Sequence, residues 1–441
     1  MFVITRNLLT LALVAGLLGV AASAGAETRK VCGYIKFLDD RTGCDGCGNA
    51  ENLPGRIDPC NGPGTDYYAG KIKMELWDYD SWGSDEYIGT WYLPWHGGFC
   101  IDFEWEDADY SKGEYDPDLY LKYTSWNWGY YDTIQVRLND PSEFGLADAT
   151  PPEIEWSDNR VNNCENGSTC WFSNVNYASQ TSGSLNQSLF MVGDTGSHTY
   201  AAFHDHGEDA ALDTVTINFK GTAGTSAYSP GSQTIGIHND DDTSPWTPAH
   251  EIGHAYQDQL MGMNGFGTFS YCGYGTPAPC GHSLTSQEYD KAATMEGWAN
   301  YVAARSWWDP QDEDSCPCVY GWDVHDNTPP NAADEDDNLG IELLVARGFW
   351  DLDDVTEDSS VAPCPFRTDN IDLDSVTDIA EVWNLMPPGS ANRQGQEDDF
   401  DGANLWDYWY VGHYGNGFFD DPTEVWTTLI YMHCQYGMDW G

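Results

Sequence analysis

The sequence predicts a multidomain chain, an all-β sandwich followed by an α+β domain. Three observations predict it. The chain has 441 residues, enough for two or three domains of ordinary size. Between Val31 and Asn139, short stretches of alternating apolar and polar residues recur at close spacing. Beyond Thr150-Pro151-Pro152, two strand-like stretches give way to longer runs with helical spacing.

The elements follow in order. Arg6 precedes an apolar run from Leu8 to Val20, and the small residues Ala22-Ser23-Ala24-Gly25-Ala26 come next. Residues 1–26 therefore read as a secretory signal peptide, too short to span a bilayer. The expectation is a secreted protein, in the extracellular medium, the periplasm or at the cell surface, with no membrane span. A first unit, 27–145, carries the alternating strand Ile72–Trp77 and further strands at Tyr87–Leu93, Phe99–Phe103, Leu119–Tyr123 and Thr133–Leu138. Asp140-Pro141 and Thr150-Pro151-Pro152 mark a linker. A second unit, 150–441, opens with strands at Val215–Phe219 and Thr234–Ile237 before the helical patterns begin.

Several features of the first unit come in a characteristic succession. Gly33-Tyr34-Ile35-Lys36-Phe37 is followed by Lys73–Asp80, Ile88-Gly89-Thr90, Gly97-Gly98-Phe99 and Asp116–Leu121. This order resembles transthyretin-like sandwich domains over roughly 110 residues. A competing likeness is to calcium-dependent lipid-binding sandwiches, in which Asp78, Asp80 and Asp85 would hold Ca2+.

Composition narrows the function. With 71 acidic against 18 basic side chains, the formal net charge is −53. Too few cations are present to neutralise phosphates, so the reading excludes nucleic acid and disfavours anionic membrane surfaces as partners. The 20 Trp and 26 Tyr separate the chain from disordered acidic tails. The acidity is that of a solvated surface suited to a salty medium, or in part that of calcium sites. All thirteen cysteines follow the signal segment. In an oxidising compartment most are expected to pair, with Cys164 and Cys170, and Cys272 and Cys280, near enough for local loops.

The chemistry lies in Thr247-Pro248-Ala249-His250-Glu251-Ile252-Gly253-His254. Two histidines at i and i+4 share one helical face and can both reach one Zn2+ ion. Glu251, beside the first, can face a water without being a ligand. Thr247 reads as the N-cap and Pro248 as the first helical residue, with Ala249, Ile252, Tyr256 and Leu260 forming a buried face and Gly262 ending the helix. Gln257 and Leu260 occupy positions where the metzincin pattern needs glycine and histidine. A second helix is expected from the capping box Thr285-Ser286-Gln287-Glu288 to Trp308, and carries Met295-Glu296-Gly297-Trp298-Ala299-Asn300-Tyr301. This segment, coupled to HExxH, resembles the second zinc helix of gluzincin metallopeptidases.

The resemblance implies a zincin-like catalytic domain in which Glu296 is the third ligand beside His250 and His254. Asn300 would support a zinc histidine by hydrogen bonding, where thermolysin-like members carry aspartate. The implied activity is that of a secreted zinc endopeptidase acting on protein or peptide substrates, with Glu251 as general base toward a zinc-activated water. The oxyanion donor would be a downstream His or Tyr, among His325, His413, Tyr410 and Tyr414, and the strand Thr234–His238 would be the edge that pairs with an extended peptide. Leu343–Asp354 reads as an apolar helix running into Asp351, Asp353 and Asp354, further Ca2+ candidates. Two other readings stay open: a secreted binding or adhesion protein with a structural zinc site, and a zinc hydrolase of non-peptide bonds.

Overall fold

The computed structural model describes residues 27–39, 65–68, 72–79, 84–94, 97–105, 116–128, 134–138, 154–155, 161, 164–165, 167–172, 176–179, 185–204, 214–261, 283–285, 290–308, 310, 317–320, 322–324, 342–353 and 408. The architecture is mixed α+β. The strands are β1 (Glu27–Asp39), β2 (Thr65–Tyr68), β3 (Ile72–Asp78), β4 (Glu86–Tyr92), β5 (Gly98–Trp105), β6 (Leu119–Trp128), β7 (Ile134–Leu138), β8 (Ile154–Glu155), β9 (Thr169–Trp171) and β10 (Asn176–Ser179). Helix α1 (Leu185–His204) separates them from β11 (Val215–Lys220), β12 (Ala227–Ser229) and β13 (Thr234–His238). Then come α2 (Trp246–Leu260), α3 (Asp290–Arg305), β14 (Cys318–Val319), β15 (Trp322–Asp323) and α4 (Glu342–Asp353). Among the described residues, no helix is long and apolar enough to cross a membrane.

The strands expected from alternation are present because alternation is what a half-buried sheet needs. In β3, Ile72, Met74 and Leu76 are fully buried while Lys73, Glu75 and Trp77 are only partly covered. β7 and β11 show the same pattern. One sheet is built around β1, which pairs with β2, β5, β9 and β10. Cys32–Cys100 ties β1 to β5, and Cys164–Cys170 closes the expected local loop. The Cys272–Cys280 suggestion lies outside the described residues, as does the signal segment 1–26.

The larger sheet runs β12-β13-β11-β7-β6-β3-β4, with β8 beside β6. It crosses the linker. β7, which precedes it, and β11, which follows it, are parallel neighbours with Ile134 opposite Val215 and Leu138 opposite Phe219. α1 lies between them in sequence and packs on both β6 and β7. Phe190 of α1 reaches Phe37 and Tyr123 at 6.1 Å each. Gly196 marks the tightest approach, since a Cβ there would stand 2.8 Å from Ile134 Cγ2. No sequence signal announces α1, because nearly all of it from Gln187 to Phe203 is buried, including Asp194, Ser197 and His198. A helix covered on all sides lacks the amphipathic stripe that periodicity detects.

α3 sits between α2 and α4. Gly253 of α2 faces Ala299 of α3, where an added Cβ would stand 2.9 Å from the Ala299 Cα. Gly297, on α3, meets α4: a Cβ there would lie 2.5 Å from Val345 Cβ and 2.9 Å from the Glu342 carbonyl. Beneath them, Arg305 and Asp353 form a fully buried ion pair at 2.8 Å, and Tyr301 donates to the same carboxylate at 2.7 Å. Asp353, a calcium candidate by sequence, is thus the counterion of Arg305. The other described acidic loops also meet protein donors: Asp78 accepts from the Asp118 N–H, Asp85 from the Tyr120 hydroxyl, and Asp241 and Asp242 from Ser226 and Ser188. Asp80 and Asp354 lie outside the described residues.

Removing one partner of a buried ion pair strands the other charge. Asp353→Ala is expected to lower the unfolding free energy by about 3–5 kcal/mol in a urea titration, and Arg305→Met in the same chain to recover much of that loss.

Candidate metal centre

The helix carrying the two histidines starts one turn earlier than its sequence suggests. Pro245 already has helical dihedrals, φ −72° and ψ −19°. Ser244 Oγ accepts hydrogen bonds from the backbone N–H groups of Trp246 and Thr247, at 3.2 and 3.1 Å. Ser244-Pro245 is therefore the cap and first-residue pair, not Thr247-Pro248. Thr247 lies in the first turn, its hydroxyl 3.0 Å from Ser244 Oγ and 3.2 Å from the Tyr320 hydroxyl. α3 begins by Asp290 and its regular part ends at Arg305, with Trp308 N–H still bonded to Ala304. Most of the expected capping box lies outside the described residues.

The crossing of α2 and α3 brings three donors together. His250 Nε2 and His254 Nε2 stand 3.0 and 3.1 Å from the same Glu296 Oε2. The two rings are 4.7 Å apart and nearly perpendicular. All three residues are buried, and their donor atoms lie within 4.8 Å of one another, a group that could hold a metal ion. The separations suit one. Tetrahedral ligands at about 2.0–2.1 Å from zinc place neighbouring donor atoms roughly 3.3 Å apart. Trp298 Nε1 donates to the Gly253 carbonyl at 3.1 Å, locking the two helices at this level.

Asn300 Oδ1 is 2.9 Å from His250 Nδ1, one turn beyond Glu296 on the same face of α3. Its Nδ2 donates to Glu342 Oε2 of α4 at 3.3 Å. Glu251, by contrast, is not one of the three donors and reaches the sheet. Its Oε2 accepts the Tyr228 backbone N–H at 2.6 Å, and the Tyr228 hydroxyl donates to Asp258 Oδ2 at 2.8 Å. β12 is thereby pinned to α2 at two points.

Glu296 and His254 shift each other's titration. Burial pushes the Glu296 carboxyl upward, but His254 and His250 beside it hold it well below the ordinary carboxylate range. Burial opposes the charged form of His254, yet Glu296, and then Glu251 and Glu342, raise it overall.

The edge of the sheet differs from expectation. β13 is flanked by β11 and β12, so Thr234–His238 is interior and β12 is the terminal strand. Sequence reasoning gave β12 no role because three residues show no periodicity. It also passed over Tyr320. This residue follows β14 in a hairpin whose ends pair Val319 with Trp322, and it has φ +51°. Tight hairpins demand such left-handed backbone, which normally selects Gly, Asn or Asp. Tyr320 is 41% exposed, and its hydroxyl lies 3.2 Å from that of Thr247. Burial raises the phenol above its ordinary value, the Thr247 bond partly offsets this, and the charges of Glu251, Asp241 and Glu296 add to the rise. His325, His413, Tyr410 and Tyr414 lie outside the described residues.

No protein-family model matches the chain, and no curated protein is similar to it. Among solved structures, a 9R-lipoxygenase from Cyanothece is 14% identical, over 45% of this chain and 27% of its own, with a TM-score of 0.16. A likeness that weak carries no argument about fold or activity.

Two outcomes follow. Gly253→Ala forces α2 off the backbone of Ala299, so it should cost about 1–3 kcal/mol of stability and weaken metal uptake in a chelator competition. After chelation, the depressed Glu296 contributes stability above its ordinary 4.5 that is lost as pH falls through its lower folded value, and the raised His254 contributes below its ordinary 6.5 and loses it as pH rises through its higher one. The thermal midpoint of the chelated protein should therefore be highest between those values. Added metal, which binds neutral imidazole, should remove the alkaline loss.

Proposed function

We propose that the protein is an exported zinc-dependent endopeptidase of gluzincin type. The observation that carries this reading is the division of labour at α2. Two imidazoles and Glu296 converge within 3.0–3.1 Å, while the adjacent Glu251 is held outside that group by a backbone N–H. A donor set of two neutral histidines and one carboxylate suits zinc, and leaves a coordination position for water. Zinc held there supplies Lewis acidity to the attacking water and the scissile carbonyl.

The chain's own residues do the rest. Glu251 takes the proton of the attacking water and passes it to the leaving amine. The Tyr228 N–H orients that carboxylate, and the Tyr228–Asp258 bond keeps the strand carrying it in place. β12 is the terminal strand of the larger sheet, and an extended peptide substrate would lie along that edge. Tyr320 is the hydroxyl donor to the developing oxyanion, a role that accounts for an aromatic residue held at positive φ. On this reading the larger sheet, with strands from both sides of the linker, and the helices packed with it form the zincin-like unit. Export is supported, among the described residues, by the disulfides Cys32–Cys100 and Cys164–Cys170, and in the sequence by the apolar run Leu8–Val20 with the small residues after it.

Glu251→Gln should abolish hydrolysis of an unfolded protein substrate, by three or more orders of magnitude, while zinc content by mass spectrometry stays stoichiometric. Equal behaviour of variant and wild type would favour a binding protein with a structural metal. Tyr320→Phe should lower kcat by about 10²–10³ with zinc affinity unchanged.

A further inference from the structure

The His250 ring is fixed by a chain of hydrogen bonds that crosses three helices. It runs from His250 on α2 to Asn300 on α3, at 2.9 Å, and from Asn300 to Glu342 on α4, at 3.3 Å. All three side chains are buried. The direction of every bond follows from the last member. A carboxylate only accepts hydrogen bonds, so it takes the NH2 end of the Asn300 amide. The amide oxygen then faces His250, and can only accept from Nδ1–H. The remaining nitrogen, Nε2, must present its lone pair toward Glu296, where a metal would sit.

We infer that Glu342 is a positioning residue for the metal centre, setting through Asn300 which nitrogen of His250 faces the metal. The inference rests on the reading of His250, His254 and Glu296 as metal ligands. The two outer residues are matched to each other. Aspartate at 300 would accept from His250 directly, but would face the Glu342 carboxylate at hydrogen-bond distance with like charge in a buried place. With Glu342 present, an amide is the group that can satisfy both neighbours. Glu342 opens α4, where the helix N-terminus favours a negative charge. Gly297 lets it come near, since any side chain there would meet Val345 and the Glu342 backbone.

The test is a double-mutant cycle on the full chain, read as Zn2+ affinity in competition with a chromophoric chelator, alongside kcat/KM on a peptide. Glu342→Gln removes the group that dictates the amide orientation, and Asn300→Asp sets two carboxylates against each other. Each alone should weaken Zn2+ binding about tenfold. The double variant Asn300→Asp/Glu342→Gln restores one acceptor for His250 and one donor for Asp, so it should return to within about threefold of wild type. Nitrogen NMR of the zinc-loaded wild type should show His250 protonated on Nδ1. Losses that simply multiply in the double variant, or a His250 protonated on Nε2, overturn the relay while leaving the metal site intact. A wild-type protein that takes up no stoichiometric Zn2+ overturns the metal reading and the relay with it. Thermal midpoints of the chelated variants separate loss of folding from loss of affinity, and a double variant that does not fold counts against the relay.

Discussion

The contact between Gly253 and the backbone of Ala299 sets the rest of the candidate metal centre. The missing side chain lets α2 and α3 cross at a separation that no larger residue permits. From that separation it follows that one carboxylate oxygen of Glu296 reaches both imidazoles. It also places Asn300 under His250 and lets Trp298 bond across the crossing. Gly297 repeats the device on the opposite side of α3, so that α4 can bring a charge from outside the ligand group. Two glycines thus determine distances that the polar residues then use.

The same arrangement gives two neighbouring glutamates on crossing helices different surroundings. Glu296 is enclosed between imidazoles that favour its ionised form. Glu251, one residue from His250, is turned toward β12 and held by an amide N–H. Outside this centre, Asp78, Asp85 and Asp241 accept bonds from nearby hydroxyl and amide groups.

The sequence discloses the parts of this molecule that obey a local rule. Alternation in Ile72–Trp77 and Val215–Phe219 is visible because one face of each strand is covered and the other is not. The i, i+4 spacing of His250 and His254 needs only helical geometry. Other parts depend on tertiary context. α1 is buried all round and carries no stripe. Ser244 caps α2 because the chain bends there, whereas Thr247 has the same chemistry and a different job. β12 and Tyr320 lie in short elements whose importance comes from what they face. Glu342 reads as an ordinary first-turn acid until α4 is seen against α3.

The larger sheet draws strands from both sides of the Pro-rich segment, and this fixes an order of events in the life of the chain. β7 precedes its parallel neighbour β11 in the chain, and α1, which comes between them, packs on β6 and β7. His250 and His254 follow on their helix, Glu296 after them, and Glu342 later still. Pairing between distant segments is slow because the intervening loop must close before any contact rewards it. A growing chain therefore displays two histidines on a helix for some time before the remaining donors join them. The group that could hold a metal ion is therefore completed late in synthesis, among the last parts of the described molecule to be assembled.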